Sequence, residues 1–239
     1  MFNARLEIER IMEFIRGVFG ERATFKGALV GVSGGKDSLV CAALCIRALG
    51  AGRVFGVIMP NGKQSDILDA LVTVKYLGIE SIVVNIGETN TELVKAIKED
   101  LSPLALQNIP PRLRMATLYA LAQEKRFLVC CTSNLSEITI GYTTKWGDNV
   151  GDFAPIAHLT KTEVVEVGAA LGLPLDLVNK VPADGLTGLS DEENIGFSYM
   201  DLDDYIRNAL ENVPAEIAEK IEHRIAANRH KRLPIPTVC

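Results

Sequence analysis

No uninterrupted apolar run in this 239-residue sequence approaches the roughly 20 residues needed to cross a bilayer. The first stretch carries Arg5, Glu7, Glu9 and Arg10 and lacks the apolar centre of a secretory signal. A membrane-bound or exported chain is therefore not expected, and the expected compartment is the cytoplasm. Basic excess is also missing: 25 Lys and Arg against 30 Asp and Glu leave a net charge of -5. A general grip on nucleic acid needs a basic face, so that class of partner is not expected. The five cysteines form no CxxC pair. Cys41 and Cys45 lie four apart on a helical pattern, and Cys130 and Cys131 are neighbours on a strand pattern, facing opposite ways. They read as buried thiols, not as a disulfide framework or a zinc site. Three histidines, His158, His223 and His230, are too few to suggest a metal cluster. No internal repeat or low-complexity linker interrupts residues 1–239, which read as a single domain able to bury a full core.

What the sequence does contain is a regular alternation. Residues 2–19 set Leu6, Ile8, Ile11, Met12, Ile15 and Phe19 in a helical pattern. Strand-type runs at 28–32, 54–58, 81–86 and 127–131 alternate with helical patterns at 38–49, 65–77, 89–101 and 112–125, the last beginning after Pro110-Pro111. This βαβαβ order implies an α/β fold, a doubly wound parallel sheet flanked by helices. Thr160-Lys-Thr-Glu163 is a capping box that opens a further helix, and Ser190 to Glu193 opens another. Residues 214–229 are amphipathic. Two stretches, 139–155 and 182–190, are polar and irregular, and loops of that kind commonly carry function.

The most informative segment is Gly31-Val-Ser-Gly-Gly-Lys-Asp-Ser38, between the first strand and its helix. Its glycines let successive N–H groups close on an anion, and the helix N-terminus adds a favourable field for phosphate. A Walker A loop needs Ser or Thr after its lysine, whereas Asp37 follows Lys36. The hydrolase elbow G-x-S-x-G matches literally at residues 31–35, but only one strand precedes Ser33, without the upstream strands and oxyanion loop of that fold. The third reading is the SGGxDS signature of the ATP pyrophosphatases, present as Ser33 to Ser38. Cleavage of ATP between its α and β phosphates requires a cradle for pyrophosphate and a nearby carboxylate for magnesium, which Asp37 provides. The plainer alternative makes the turn a packing device and Asp37 a helix cap.

Further blocks narrow the match. Arg112-Leu-Arg-Met115, Thr132-Ser-Asn-Leu-Ser-Glu137, Gly141-Tyr-Thr-Thr-Lys-Trp-Gly-Asp148, Asp152, Leu159-Thr-Lys161, Asp191-Glu-Glu193, Asp201 to Tyr205 and His230-Lys-Arg232 resemble the NAD synthetases in order and spacing. The resemblance runs from about residue 5 to the C-terminus. It implies the Rossmann-like fold of the adenine nucleotide alpha-hydrolase type, and a reaction in which deamido-NAD, ATP and ammonia give NAD, AMP and pyrophosphate through an NAD-adenylate. Pyrophosphate and AMP departure in that reaction needs positioning and charge neutralisation more than covalent help.

By the same resemblance, Asp37 and Glu137 hold Mg2+. Gly31, Val32, Ser33, Gly34, Gly35, Lys36, Ser38, Gln64, Thr132, Lys161 and the position of Ala183 contact ATP. Arg112, Lys145, Asp152, His230 and Lys231 meet deamido-NAD, and Asp37, Lys161 and Asp152 carry the chemistry. Asp152 could face a hydroxyl, the pyridinium or ammonium. Read without the family, Lys161 is an exposed lysine in a capping box, Glu137 a solvated acid at a helix start, and Trp146 either a stacking ring or an ordinary buried tryptophan. Three departures from the pattern stand out. Ala183 replaces a Ser or Thr found in many relatives, the 182–190 loop is shorter than in some, and no amidase domain accompanies the chain. The last points to free ammonia or a separate donor. A homodimer is also implied, with the dinucleotide site at the subunit interface. The rivals are an ATP pyrophosphatase that adenylates a tRNA base or purine, and a catalytically silent nucleotide-binding regulator.

Overall fold

Four short strands, Gly27–Gly31 (β1), Val54–Ile58 (β2), Glu80–Val83 (β3) and Phe127–Cys130 (β4), lie side by side in the order β3-β2-β1-β4. Every pairing is parallel, so each connection must cross over through a helix. The chain is seen in a computed structural model that describes residues 2–64, 67–179 and 190–238.

The strand sequences alternate between two helical layers, as the pleat requires. Ala28 and Val30, Val54 and Ile58, and Leu128 and Cys130 point into one core. That core is closed by Ala4–Glu21 (α1), Lys36–Leu49 (α2), Ile67–Leu77 (α3) and Lys161–Ala170 (α8). Leu29, Phe55, Val57 and Val129 point the other way, against Ile109–Lys125 (α6) and the segment leading to Gly87–Ile97 (α4). The sheet is thus wound on both faces, as the alternation predicts.

A third apolar cluster stands apart from the sheet and, Ile140 excepted, draws its buried residues from the chain after the short helix Leu175–Val178 (α9). It joins Ile140 of Leu135–Ile140 (α7) to Ile195 of Asp191–Ile195 (α10), Tyr199 and Leu202 of Tyr199–Ile206 (α11), and Ile221 of Ala215–Ala227 (α12). This cluster matters to the site because α7 and α11 pack on α8. Among the described residues no helix is long and apolar enough to cross a membrane.

Four local expectations change. Leu6 is 60% exposed, because it precedes buried Ile8 by two residues and therefore faces the opposite side of α1. The helix expected at 89–101 ends at Ile97, where Lys98 turns left-handed with φ 56°, and a short helix Pro103–Gln107 (α5) follows. Pro110 and Pro111 lie inside the first turn of α6 instead of before it, where a missing N–H costs no helical hydrogen bond. The 139–155 stretch is not wholly irregular. It begins inside α7 and returns at Phe153, which bridges Cys130 on the outer edge of β4.

Candidate active site

The crevice of an open α/β sheet lies where neighbouring strands send their connections in opposite directions. Here β1 leads towards β2 on one side while β4 lies on the other, so the crevice falls between the carboxyl ends of β1 and β4. The glycine turn leaves β1 there, and the segment carrying Thr132 to Glu137 leaves β4 there.

The turn is held by its own serines. Ser33 Oγ accepts from Gly35 N at 3.2 Å, Ser38 Oγ accepts from Ser33 N at 3.3 Å, and Ser38 Oγ donates to Gly35 O at 3.0 Å. Gly34 has φ 84°, and a Cβ at that residue would lie 2.7 Å from Asp69 Cβ and 2.8 Å from the backbone N of Ala70. Only glycine fits that left-handed, tightly covered position. The N-cap of α2 is Gly35, which has no side chain to offer its first-turn amides, whereas Asn134 caps α7 and Thr160 caps α8. The first-turn amides of α2 thus form a ready anion cradle.

Asp37 sits in that first turn but does not act as a cap. Its Oδ2 receives Lys161 Nζ at 2.9 Å, and its Oδ1 receives Asn134 Nδ2 at 2.9 Å. Lys161 Nζ also donates to Glu137 Oε1 at 2.7 Å. Asn134 is fully buried, and its Oδ1 caps Glu137 N at 3.0 Å. One asparagine therefore fixes both carboxylates. Lys161 is buried too, not the exposed lysine that a capping box suggests by itself.

The electrostatics follow from this crowding. Burial, with Asp37 close by, pushes the Glu137 carboxyl up to about 7 against the pull of Lys161. Burial opposes the Lys161 charge, yet Asp37 and Glu137 hold its ammonium well above the usual lysine range. Lys36 is lowered by burial and by the positive charge of Lys161.

Magnesium suits this donor set. Two hard carboxylates converge on a point already filled by a stand-in cation, the Lys161 ammonium. Among the described residues no group of three or more His, Cys, Asp or Glu could hold a metal by itself. Two carboxylates, completed by phosphate oxygens and water, match the way magnesium is usually bound beside nucleotides.

The residues expected to meet deamido-NAD form a second linked group. Arg112 Nε donates to Lys145 O at 3.2 Å, and Lys145 Nζ donates to His230 O at 2.9 Å. Lys231 Nζ donates to Gly141 O at 2.7 Å and to Thr143 O at 2.8 Å. The C-terminal segment and the 141–148 loop are thereby tied together, with Trp146 half exposed beside them. Asp152 does not contact the lysine–carboxylate cluster. Its N donates to Val129 O and its Oδ2 accepts from Val129 N, each at 2.8 Å, so it extends the edge of β4. Gln64 Oε1 accepts from Asn61 N and from Arg114 Nη2. Thr132 follows β4 at the crevice. Ala183 lies outside the described residues.

Sequence reasoning missed the support behind Lys161 and Glu137. Ser136 Oγ donates to Asp203 Oδ1 and accepts from Lys161 N at 2.9 Å, while Asp203 Oδ2 accepts from Thr162 N at 2.8 Å. Tyr199 places its ring 5.0 Å from Lys161 Nζ and donates its hydroxyl to Asp191 Oδ2 at 3.2 Å. Burial pushes that hydroxyl up, so it stays protonated and donates. Asp191 and Asp203 fall within matched blocks, but nothing in the sequence sets either against the crevice. Asn134 and Glu137, three apart, do carry the legible spacing of a capping box.

The profile of the family described as NAD synthase matches residues 7–235. The chain is 38% identical over 242 residues to the NH(3)-dependent NAD(+) synthetase of Thermococcus sibiricus, covering 95% of each chain. It is 39% identical to the enzyme of that name from Pyrococcus horikoshii, covering 95% of this chain and 92% of the other. Among solved structures, NMN synthetase from Francisella tularensis superposes with a TM-score of 0.92 at 29% identity, covering 100% and 99% of the two chains. The NH3-dependent NAD synthetase from Campylobacter jejuni gives 0.84 at 27% identity, with full coverage of both.

Proposed function

The chain belongs to the NAD synthase family, and from that premise we propose that it amidates deamido-NAD with ammonia, consuming ATP and releasing AMP and pyrophosphate. The observation that carries this reading is the meeting of Asp37, Glu137 and Lys161 beside the glycine turn at the β1–β4 crevice.

The chemistry proceeds in two displacements. A carboxylate is a poor acceptor for ammonia, so one of its oxygens first attacks the α-phosphorus of ATP and pyrophosphate leaves. Ammonia then attacks the acyl carbon, a proton is lost, and AMP departs with the former carboxylate oxygen. The α2 amides and the turn from Ser33 to Ser38 receive the outgoing pyrophosphate. Lys36 and Lys161 supply positive charge beside it. Asp37 and Glu137 would hold magnesium, which would supply charge neutralisation for the leaving group. Asn134 keeps these two carboxylates at their posts. Arg112, Lys145, His230 and Lys231 face the dinucleotide, with guanidinium and ammonium groups suited to carboxylate and phosphate. Asp152 belongs to the same substrate face. Thr132 and Gln64 serve the ATP side.

The homodimer belongs to this reading. Leu93, Ile97, Leu104 and Leu106 expose apolar surface on α4 and α5, as do Ile82 and Val83 on edge strand β3. A second copy would cover them, and the measured mass in solution tests it. The cytoplasm is the corresponding compartment.

The direct test incubates the purified protein with ATP, magnesium, ammonium and deamido-NAD. NAD and AMP should appear together, and glutamine in place of ammonium should give little product. ATP turnover to ADP, or no product, would refute the assignment. A second acceptor merits a parallel arm, because the NMN synthetase of Francisella tularensis superposes so fully. Preference for nicotinate mononucleotide over deamido-NAD would move the substrate while keeping the same amidation.

A further inference from the structure

Lys161 Nζ lies 2.9 Å from Asp37 Oδ2 and 2.7 Å from Glu137 Oε1, with only 5% of its side chain exposed. These are the two carboxylates assigned to magnesium under the proposed function, and the role inferred for Lys161 rests on that assignment. Magnesium bonds its oxygens at about 2.0–2.1 Å. An ion joined to both carboxylates would therefore fill the volume that the ammonium now occupies, and its double charge would repel the lysine at contact distance. The two cations cannot share the site.

We propose that Lys161 is the resident counter-ion of the metal-free site, and that metal loading evicts its ammonium from Asp37 and Glu137 towards the bound phosphates. The surroundings suit such an exchange. Lys161 opens α8, whose backbone is pinned by the Thr160–Glu163 capping box and by Ser136 Oγ. The backbone can stay fixed while the flexible four-carbon stem swings. On its other side lies the Tyr199 ring, itself tied to Asp191. Lys36 is also buried and lies close enough to feel the Lys161 charge. The Lys161 ammonium, displaced from its carboxylates and close to that of Lys36, needs an incoming anion. The polyphosphate supplies it, so metal and nucleotide should load together and free divalent ions should bind the nucleotide-free protein poorly.

Manganese is a suitable probe, because the paramagnetic resonance of the free ion reports binding without any turnover. Wild-type protein without nucleotide should bind Mn2+ weakly, and ATP should strengthen that binding. Lys161→Met should bind Mn2+ without nucleotide more than about tenfold tighter than wild type, since one positive charge has gone from the site. Asp37→Asn added to Lys161→Met should remove the gain. Unchanged or weaker Mn2+ binding by folded Lys161→Met would overturn the exchange. Should that variant not fold, Lys161→Gln retains a donor and is judged by the same gain. The ammonium resonance of 15N-lysine-labelled wild type gives an independent reading. The Lys161 signal should move when Mg2+ and ATP arrive together and stay put with Mg2+ alone; a signal unmoved by both would overturn the proposal. NAD formation is measured on the same preparation. A protein that makes NAD but shows no Mn2+ gain loses only the exchange, and the converse loses only the synthetase assignment.

Discussion

Asp203 offers the sharpest test of how the site is held. It is 5% exposed and accepts two hydrogen bonds, from Ser136 Oγ and from Thr162 N. Ser136 precedes Glu137, and Thr162 follows Lys161, so one carboxylate anchors both segments that deliver the site. Asp203→Ala leaves the buried Ser136 hydroxyl and the part-buried N–H of Thr162 without this partner. The buried hydroxyl costs about 1–3 kcal/mol and the part-buried N–H about 1 kcal/mol, which gives a loss of roughly 2–4 kcal/mol. For a domain of this size a loss of 1 kcal/mol lowers Tm by about 2–4 °C, so a fall on the order of 10 °C is expected. Asp203→Asn keeps one acceptor and should lose about half as much. Thermal unfolding reads the first effect. The second appears in kinetics per folded molecule, where KM for magnesium-ATP should rise because Glu137 and Lys161 are no longer registered with Asp37. A melting temperature within about 2 °C of wild type for Asp203→Ala, with unchanged KM, would refute the anchoring role.

Three other perturbations probe the site itself. Asp37→Ala should reduce pyrophosphate release by at least about 10³-fold while circular dichroism shows a native fold; lost stability with unchanged activity per folded molecule would make Asp37 a structural residue only. Gly34→Ala places a Cβ 2.7 Å from Asp69 Cβ at φ 84°, so the turn must shift, and ATP affinity should fall by more than about tenfold. Burial pushes the Glu137 carboxyl up to about 7, and in the proposed metal role only its ionised form would bind Mg2+. Apparent Mg2+ affinity in the presence of ATP should therefore be level above about pH 7 and fall towards about tenfold per pH unit below it. Calorimetric titration at several pH values checks this, and Glu137→Gln should abolish the acid limb.

The sheet and the glycine turn are legible in the sequence because each depends on local backbone chemistry. Strands of Val, Leu and Ile separated by helices can close only as a parallel sheet, and a left-handed Gly34 leaves a visible mark. Glu137 is also legible, by its place after the fourth strand and its capping-box spacing to Asn134. The partnership of Asp37 with Lys161 is not, because the two are 124 residues apart and meet only when α8 packs beside α2. Read locally, Lys161 resembles a surface lysine; in the fold the Tyr199 ring of the satellite cluster lies 5.0 Å from its Nζ. Asp152 shows the opposite case. Nothing in its sequence surroundings announces that its carboxylate would take a strand-like hydrogen bond from Val129. Leu6 shows that helical periodicity must be counted residue by residue, since an apolar residue two positions from the stripe faces solvent.

In the proposed reaction the carboxylate oxygen attacks the α-phosphorus of ATP within the crevice marked by Asp37, Glu137 and Lys161. Deamido-NAD labelled with 18O in its carboxylate tests this most directly, with AMP analysed by mass spectrometry after turnover with ammonium. Attack at the α-phosphorus predicts one 18O atom in AMP for each NAD formed, and none in pyrophosphate. Unlabelled AMP, or label in inorganic phosphate alongside ADP, would contradict it.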